Sequence, residues 1–474
     1  MNHRARITLA ALALSLSACQ WRLTPPSFRD ATLDDRAQDA ALVTDANDAS
    51  DATVDVADAP NEPRIQRCST AGPTPPTDPD PASRLVHAAT LERPTRSNGS
   101  GRGVCLGDLD GDGVQELVAL RPDATADVLD PATLCVRTTL DVPENARACV
   151  IDDLDRDGRP ELALALNVRW GAHLDPAVVV GHVEPVDRDG RQWRVRFPSS
   201  WRLDETRNIR GIGTPITTID LDGDGDRELV IGGTVTTDAP RSDAFVRAWE
   251  FAESPSCTGE SRCPRGVYNE QLDALDTQTL IPAQLDADAP QELLVELGCN
   301  RGGLHRFDAR WTTPVEIGAI GQTSNGVLVD VDADGTLDFL TSTSPRCNGG
   351  YGPNSSLRWL RMSNNELRYY TEVPNPAVPR AAQTALAAMD ALYDQRPELL
   401  LCSRDADNVA PFRVRCDLFS VDRPFIDREW TWSEPTAHID MLSSIVVTDA
   451  NRDGLSDAII VTEARLHLLL QRNR

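Results

Sequence analysis

The sequence predicts an all-β fold, a seven-bladed β-propeller with calcium-binding hairpin loops preceded by a disordered acidic linker. Three observations predict it. An acidic loop of ten residues recurs seven times between residues 85 and 474. Short, often β-branched apolar runs flank the copies. The phase of the repeat also leaves a spare strand before the first loop and a strand missing after the last.

The loops begin at Asp108, Asp153, Asp220, Gln284, Asp330, Asp390 and Asp449. They read DLDGDGVQEL, DLDRDGRPEL, DLDGDGDREL, QLDADAPQEL, DVDADGTLDF, DALYDQRPEL and DANRDGLSDA. Their intervals of 45, 67, 64, 46, 60 and 59 residues each suit one four-stranded propeller blade with its turns. First strands are expected at Ile216–Ile219, Val327–Val329 and Ile445–Val447, and second strands at Leu117–Leu120, Leu229–Ile231, Leu293–Val295 and Ala458–Val461. These runs are too short for helices and are bounded by turn signals. Third strands are expected at 245–249, 357–359 and 466–468, and fourth strands at 136–142, 193–197, 366–371 and 425–430. After the loop at Asp449 there is room for two more strands only. Leu85–Leu91 can supply the fourth and close the ring, which removes exposed sheet edges.

Ahead of the repeats the chain has a different character. Arg4 and Arg6 precede an apolar run from Ile7 to Leu16, too short to span a bilayer and suited to a signal peptide over residues 1–18. Leu16-Ser17-Ala18-Cys19 resembles a bacterial lipobox, which implies lipidation of Cys19 and a membrane anchor through the N-terminal lipid. The other reading is a plain secretory signal cut after Ala18. Residues 19–84 are expected to be a disordered tether, because 31–60 alone hold eight aspartates and one arginine among small side chains. Gln20 after Cys19 favours the outer membrane of the bacterial cell envelope, facing the periplasm or the outside. The ten cysteines besides Cys19 fit disulfides in such a compartment. Cys257 and Cys263, Cys135 and Cys149, and Cys402 and Cys416 are near neighbours in sequence, but connectivity stays open, as does the presence of buried free thiols.

The loops carry the chemistry. In the complete copies oxygen-bearing side chains stand at positions 1, 3, 5 and 9, with glycine at position 6. The expected ligands are Asp108, Asp110, Asp112 and Glu116; Asp153, Asp155, Asp157 and Glu161; Asp220, Asp222, Asp224 and Glu228; Asp330, Asp332, Asp334 and Asp338; and Asp449, Asn451, Asp453 and Asp457. Calcium takes six to eight hard oxygen ligands, and carboxylates at alternate positions of a tight loop can converge on one ion. A carbonyl at position 7 and a bidentate acid at position 9 would complete the shell. An EF-hand instead places its last acid at position 12 and leads into a helix. About five Ca2+ sites are expected. The copy at Gln284 has Ala289 in place of glycine, and the copy at Asp390 has Leu392 at position 3 and Gln395 at position 6, so their metal binding stays open.

These loops resemble the calcium hairpins of the FG-GAP/VCBS repeat family, the repeat of the integrin α-subunit N-terminal propeller. The resemblance spans residues 85–474, although the Phe-Gly and Gly-Ala-Pro signatures are absent. It implies that the cation loops join strands one and two on a lower face. Ligands would then meet the loops joining strands two and three, and strand four to the next blade, on the upper face. Carried onto this chain, that face would offer Trp170, Arg301, Arg346, Tyr351 and Arg404, with Cys299 and Cys347 placed where a disulfide could brace it.

Function is expected to be non-catalytic binding or adhesion to an unknown protein or glycan ligand. The alternative is a calcium-dependent carbohydrate-active enzyme resembling the propeller polysaccharide lyases. A net charge of −26, with 73 acidic against 47 basic residues, repels phosphate backbones and argues against nucleic acid. No GxSxG or HExxH motif occurs, no catalytic residues are assigned, and His3, His87, His173, His182, His305, His438 and His467 lack ligand spacing. His87 and His467 are expected on the closing blade in a structural role.

Overall fold

After the first two acidic loops the chain is apolar at nearly every position rather than at alternate ones, because the strands that follow are covered on both faces. The computed structural model describes residues 85–92, 103–166, 178–186, 193–198, 201–203, 209–210, 215–236, 242–253, 262–272, 276–285, 290–298, 303–308, 315–319, 323–331, 334–343, 356–363, 366–374, 381–391, 396–405, 412–420, 428–436 and 442–472. Glu116–Leu120 and Glu161–Leu166 are buried along their whole length. Leu117 and Ala119 pack with Ile459 and Val461 of the closing blade, while Val118 and Leu120 pack with Leu162 and Leu164 of the following one. Two-sided burial is what makes such a strand read as a continuous apolar run.

The strands form seven antiparallel sheets. From the axis outward the first blade is Val104–Gly107, Glu116–Leu120, Thr125–Asp130 and Cys135–Asp141. The second is Ala146–Asp152, Glu161–Leu166, Val178–Pro185 and Trp193–Arg196, with Arg202–Leu203 added beside Val178–Pro185. The third is Ile216–Ile219, Glu228–Thr236, Ser242–Glu253 and Arg262–Leu272, with Ile209–Arg210 added. The fourth is Asp276–Ala283, Glu292–Gly298, Gly303–Phe307 and Val315–Ala319. The fifth is Thr323–Val329, Asp338–Thr343, Ser356–Ser363 and Glu366–Pro374. The sixth is Ala381–Met389, Glu398–Asp405, Phe412–Phe419 and Arg428–Thr436. The strand expected at 425–430 thus runs later in the chain. Trp432 packs on the core between the sixth and closing blades, and Cys416 pairs with it in register.

The closing blade is Leu442–Thr448, Asp457–Thr462 and Arg465–Gln471, completed by Leu85–Glu92. Leu85 pairs with Gln471 and Glu92 with Arg465, so the two ends of the propeller share one sheet, as the phase of the repeat requires. The core follows the same circular logic. It divides into seven apolar clusters, and each joins two neighbouring blades, including the last to the first. Ring closure therefore buries the seventh interface, an apolar gain at about 25 cal/mol per Å2. The inner strands surround an axial cavity of about 420 Å3, lined by Cys149, Thr217, Thr279, Val327, Ala387 and Ile445 among others. Among the described residues no helix is long and apolar enough to cross a membrane.

Two disulfides whose partners are both among the described residues are placed differently. Cys402 and Cys416 face each other in register on adjacent strands of the sixth blade. Cys149 bonds Cys105, not its sequence neighbour Cys135, which is a free thiol. The reason is radial position: Cys105 and Cys149 both lie on inner strands of adjoining blades with Cα atoms 5.5 Å apart, whereas Cys135 opens an outer strand. Closing a loop of 44 residues across a blade interface limits the unfolded chain, a contribution of about 4 kcal/mol. Replacing both Cys105 and Cys149 by serine should lower stability by about 2–4 kcal/mol in urea denaturation. The same exchange at Cys402 and Cys416, which close only 14 residues, should cost less.

Candidate metal-binding loops

Each acidic loop joins the first strand of a blade to the second, and in all seven blades the connection has one length, as from Asp108 to Gln115 between Gly107 and Glu116. All seven therefore lie on the same rim. In the five complete copies the glycine at position 6 has φ between 83° and 85°, at Gly113, Gly158, Gly225, Gly335 and Gly454. That left-handed turn is what the motif's glycine permits. Arg156 and Arg452 also adopt positive φ at position 4, at 58° and 61°.

The side chains fold inward on the loop's own backbone. The position-1 carboxylates accept from the N–H groups of positions 5 and 6, as Asp108 does from Asp112 at 3.0 Å and from Gly113 at 2.8 Å. Asp330 and Asp449 repeat the pattern with Asp334 and Gly335, and with Asp453 and Gly454. Position 3 accepts from the N–H of position 5, at 3.2 Å for Asp110, 3.1 Å for Asp155, 3.1 Å for Asp222 and 3.1 Å for Asn451. Position 5 accepts from position 7 at Asp112, Asp157, Asp224, Asp334 and Asp453. Asp332 lies outside the described residues.

This arrangement suits a hard divalent cation. Asp108, Asp110 and Glu116 bring oxygens within 4.8 Å of one another, as do Asp153, Asp155 and Asp157, and Asp220, Asp222 and Asp224. Asp153 Oδ1 is buried with no hydrogen-bond partner. Burial first, then repulsion from neighbouring aspartates, holds the carboxyls of Asp110, Asp155 and Asp222 above their usual range. Converging anions of this kind are what a cation relieves.

The carboxylate at position 9 also holds the backbone of its own loop. It turns under the loop and accepts the N–H of position 2. The distances are 3.0 Å for Leu109 to Glu116, 2.8 Å for Leu154 to Glu161, 2.8 Å for Leu221 to Glu228 and 2.9 Å for Ala450 to Asp457. The same clamp joins Leu285 to Glu292 at 2.7 Å and Ala391 to Glu398 at 2.7 Å, in the two copies whose sequence departs from the full motif. Asp338 is buried at the same place in the fifth blade. In three blades the second oxygen meets a cationic or imidazole partner from another strand: Arg137 on Glu116 at 2.7 Å, His182 on Glu161 at 3.2 Å and Arg306 on Glu292 at 2.9 Å. Burial raises Glu116, Glu161 and Glu228 to about 7 and Asp457 to about 6. The clamp makes a prediction. Glu398→Ala orphans the buried Ala391 N–H and should cost about 1–3 kcal/mol in thermal unfolding while leaving the number of bound calcium ions unchanged.

Neighbouring loops are laced together. Arg227 of the third loop pairs with Asp152 beside the second at 3.0 Å, and Arg156 of the second pairs with Asp226 of the third. Gln291 N–H donates to the Asp220 carbonyl at 3.1 Å, and Thr448 to Gln115 at 3.1 Å across the ring closure.

Of the side chains expected on the opposite rim, Trp170, Arg301, Arg346 and Tyr351 lie outside the described residues, as do Cys299, Cys347, Cys19 and the whole of 1–84. Arg404 is described and corrects its expectation. The strand Glu398–Asp405 continues through it, it pairs in register with Gln383 and Val414, and it is 4% exposed. It belongs to the blade interior and not to a solvent-facing loop.

No family model and no curated protein matches this sequence. Among solved structures, BBS1N in complex with ARL6DN is similar over 82% of this chain and 98% of that one, at 12% identity and a TM-score of 0.45. A rhamnogalacturonan lyase of Bacillus licheniformis, PL11, is similar over 81% of this chain and 75% of its own, at 12% identity and a TM-score of 0.43.

Proposed function

We propose that this protein is a calcium-stabilised lipoprotein of the bacterial cell envelope, built from repeats of the FG-GAP/VCBS type, that binds a protein or glycan ligand without turning it over. One observation carries the reading. Connections between first and second strands are identical in length in every blade, whereas those between second and third strands range from Glu463-Ala464 to the whole of 344–355. A rim of constant acidic loops serves the scaffold, and variable loops on a rigid scaffold are where binding surfaces are built. The carboxylates on the constant rim accept from backbone N–H groups and in places from arginines, which leaves them poorly placed as free acid and base pairs. Lipidation at Cys19, with residues 19–84 as a tether, would hold the propeller away from the outer membrane.

A screen of the full chain against glycans, polyuronides and purified envelope proteins in calcium tests this. The expected result is saturable binding, no product release, and loss of binding when residues 345–354 are replaced by a short Gly-Ser turn. Turnover of any polysaccharide would overturn the reading in favour of a carbohydrate-active enzyme. Cys19→Ser should move the protein from the membrane to the soluble fraction.

A further inference from the structure

A second cluster of metal-ligating side chains lies away from the acidic rim, where the ring closes. His87 comes from the strand Leu85–Glu92, His467 from Arg465–Gln471, and Glu434 from the outer strand of the sixth blade, Arg428–Thr436. One ligand atom from each lies within 4.8 Å of the other two. His467 Nδ1 is 3.3 Å from Glu434 Oε2, and the Thr90 hydroxyl stands between the rings, 2.8 Å from His87 Nε2 and 3.1 Å from His467 Nδ1. We propose that His87, Glu434 and His467 form a binding site for a divalent transition-metal ion of the Zn2+ type, which fastens the closing strand to the neighbouring blade.

The chemistry selects the ion. Calcium prefers an all-oxygen shell, whereas two imidazoles and one carboxylate suit zinc, with bonds near 2.0 Å that place ligand atoms roughly 3.3 Å apart. The observed separation of His467 from Glu434 already meets that spacing. His467 is fully buried and its Nε2 has no hydrogen-bond partner.

Surrounding groups hold the ligands in place, as outer-shell partners do at metal sites. Arg465 binds the other carboxylate oxygen of Glu434 at 3.0 Å, and its own charge is offset by Glu92 at 3.2 Å. The Trp432 ring covers both imidazoles, with centroids 5.6 Å from His87 and 5.1 Å from His467. The site thus ties the two paired end strands of the propeller, Leu85–Glu92 and Arg465–Gln471, to the outer strand of the sixth blade.

Zinc titration of the full-length protein, saturated with calcium to occupy the oxygen loops, tests the proposal. Wild type should take up one more equivalent of zinc than His87→Ala or Glu434→Gln. Each replacement should weaken that equivalent by at least the roughly 10–100-fold that loss of an outer-shell partner costs. Cobalt in its place should give the visible absorption of a tetrahedral nitrogen and oxygen site, absent from both variants. Both replaced residues are partly exposed, so the variants should fold, and melting curves without zinc check that. If wild type binds no zinc, or the variants bind it equally, the three side chains are a hydrogen-bond relay through Thr90 and the proposal fails.

Discussion

Chelation of bound calcium is expected to lower the melting temperature of this protein more than any single side-chain replacement. A ligand that binds only the folded state adds RT ln(1 + [L]/Kd), about 2.7 kcal/mol for each site when the ligand is at 100 times its Kd. Five loops together then contribute on the order of 10 kcal/mol, comparable with the whole stability of many domains. The effect should be a weakening and not a collapse of the fold. The copy at Asp390, with Leu392 at position 3, keeps its strand pairing and its position-9 clamp, so a loop with an incomplete ligand set still joins two strands. Far-ultraviolet circular dichroism should survive EDTA at room temperature while the unfolding midpoint falls, and excess calcium should restore it. An unfolding midpoint indifferent to EDTA would count against cation binding by the loops.

The second large effect is a reversal of pH dependence. In calcium-free protein, Glu116, Glu161 and Glu228 have carboxyls raised to about 7, and Asp457 to about 6, with burial the leading cause in each. Between their ordinary values near 4 and these raised ones, the folded chain binds more protons than the unfolded chain. Stability from these groups is therefore full below the ordinary value and is lost as pH rises toward 7. His467, held down to about 3, acts in the opposite sense, because its stability contribution is lost as pH falls below about 6.5. Four raised carboxyls, worth on the order of 1 kcal/mol or more each, outweigh it. Calcium-free protein should thus become more stable from pH 7 toward about 5, whereas calcium-loaded protein should become less so as protons displace the cation. Glu228→Gln should flatten the calcium-free slope. A calcium-free midpoint that falls steadily over this interval would refute the assignment.

The fold was legible because each of its rules leaves a local mark. Glycine at position 6 marks the left-handed turn, and continuous apolar runs such as Glu161–Leu166 mark strands packed on both sides. Counting strands from Asp449 to the end places Leu85–Glu92 in the last sheet. The dual character of position 9 was also within reach. Glu398 persists in a copy that has Leu392 in place of the position-3 ligand, which a purely metal-binding role does not explain. What the sequence hides is whatever depends on contacts between strands or blades. Arg137, His182 and Arg306 meet their glutamates 14–21 residues away through strand register, and bulges such as that between Val128 and Leu129 reset the register without a sequence mark. Cys105 finds Cys149 because inner strands converge at the axis. Arg404 reads as part of a polar loop, but two flanking strands carry it into the sheet. His87 and His467 are 380 residues apart and become neighbours only through ring closure.

The stoichiometry of bound calcium decides whether the acidic rim is a set of cation clasps. Equilibrium dialysis of the purified chain against radioactive calcium, with Asp222→Ala alongside, should find about five ions retained by wild type and one fewer by the variant. Retention of none, or an equal number by both proteins, would contradict it.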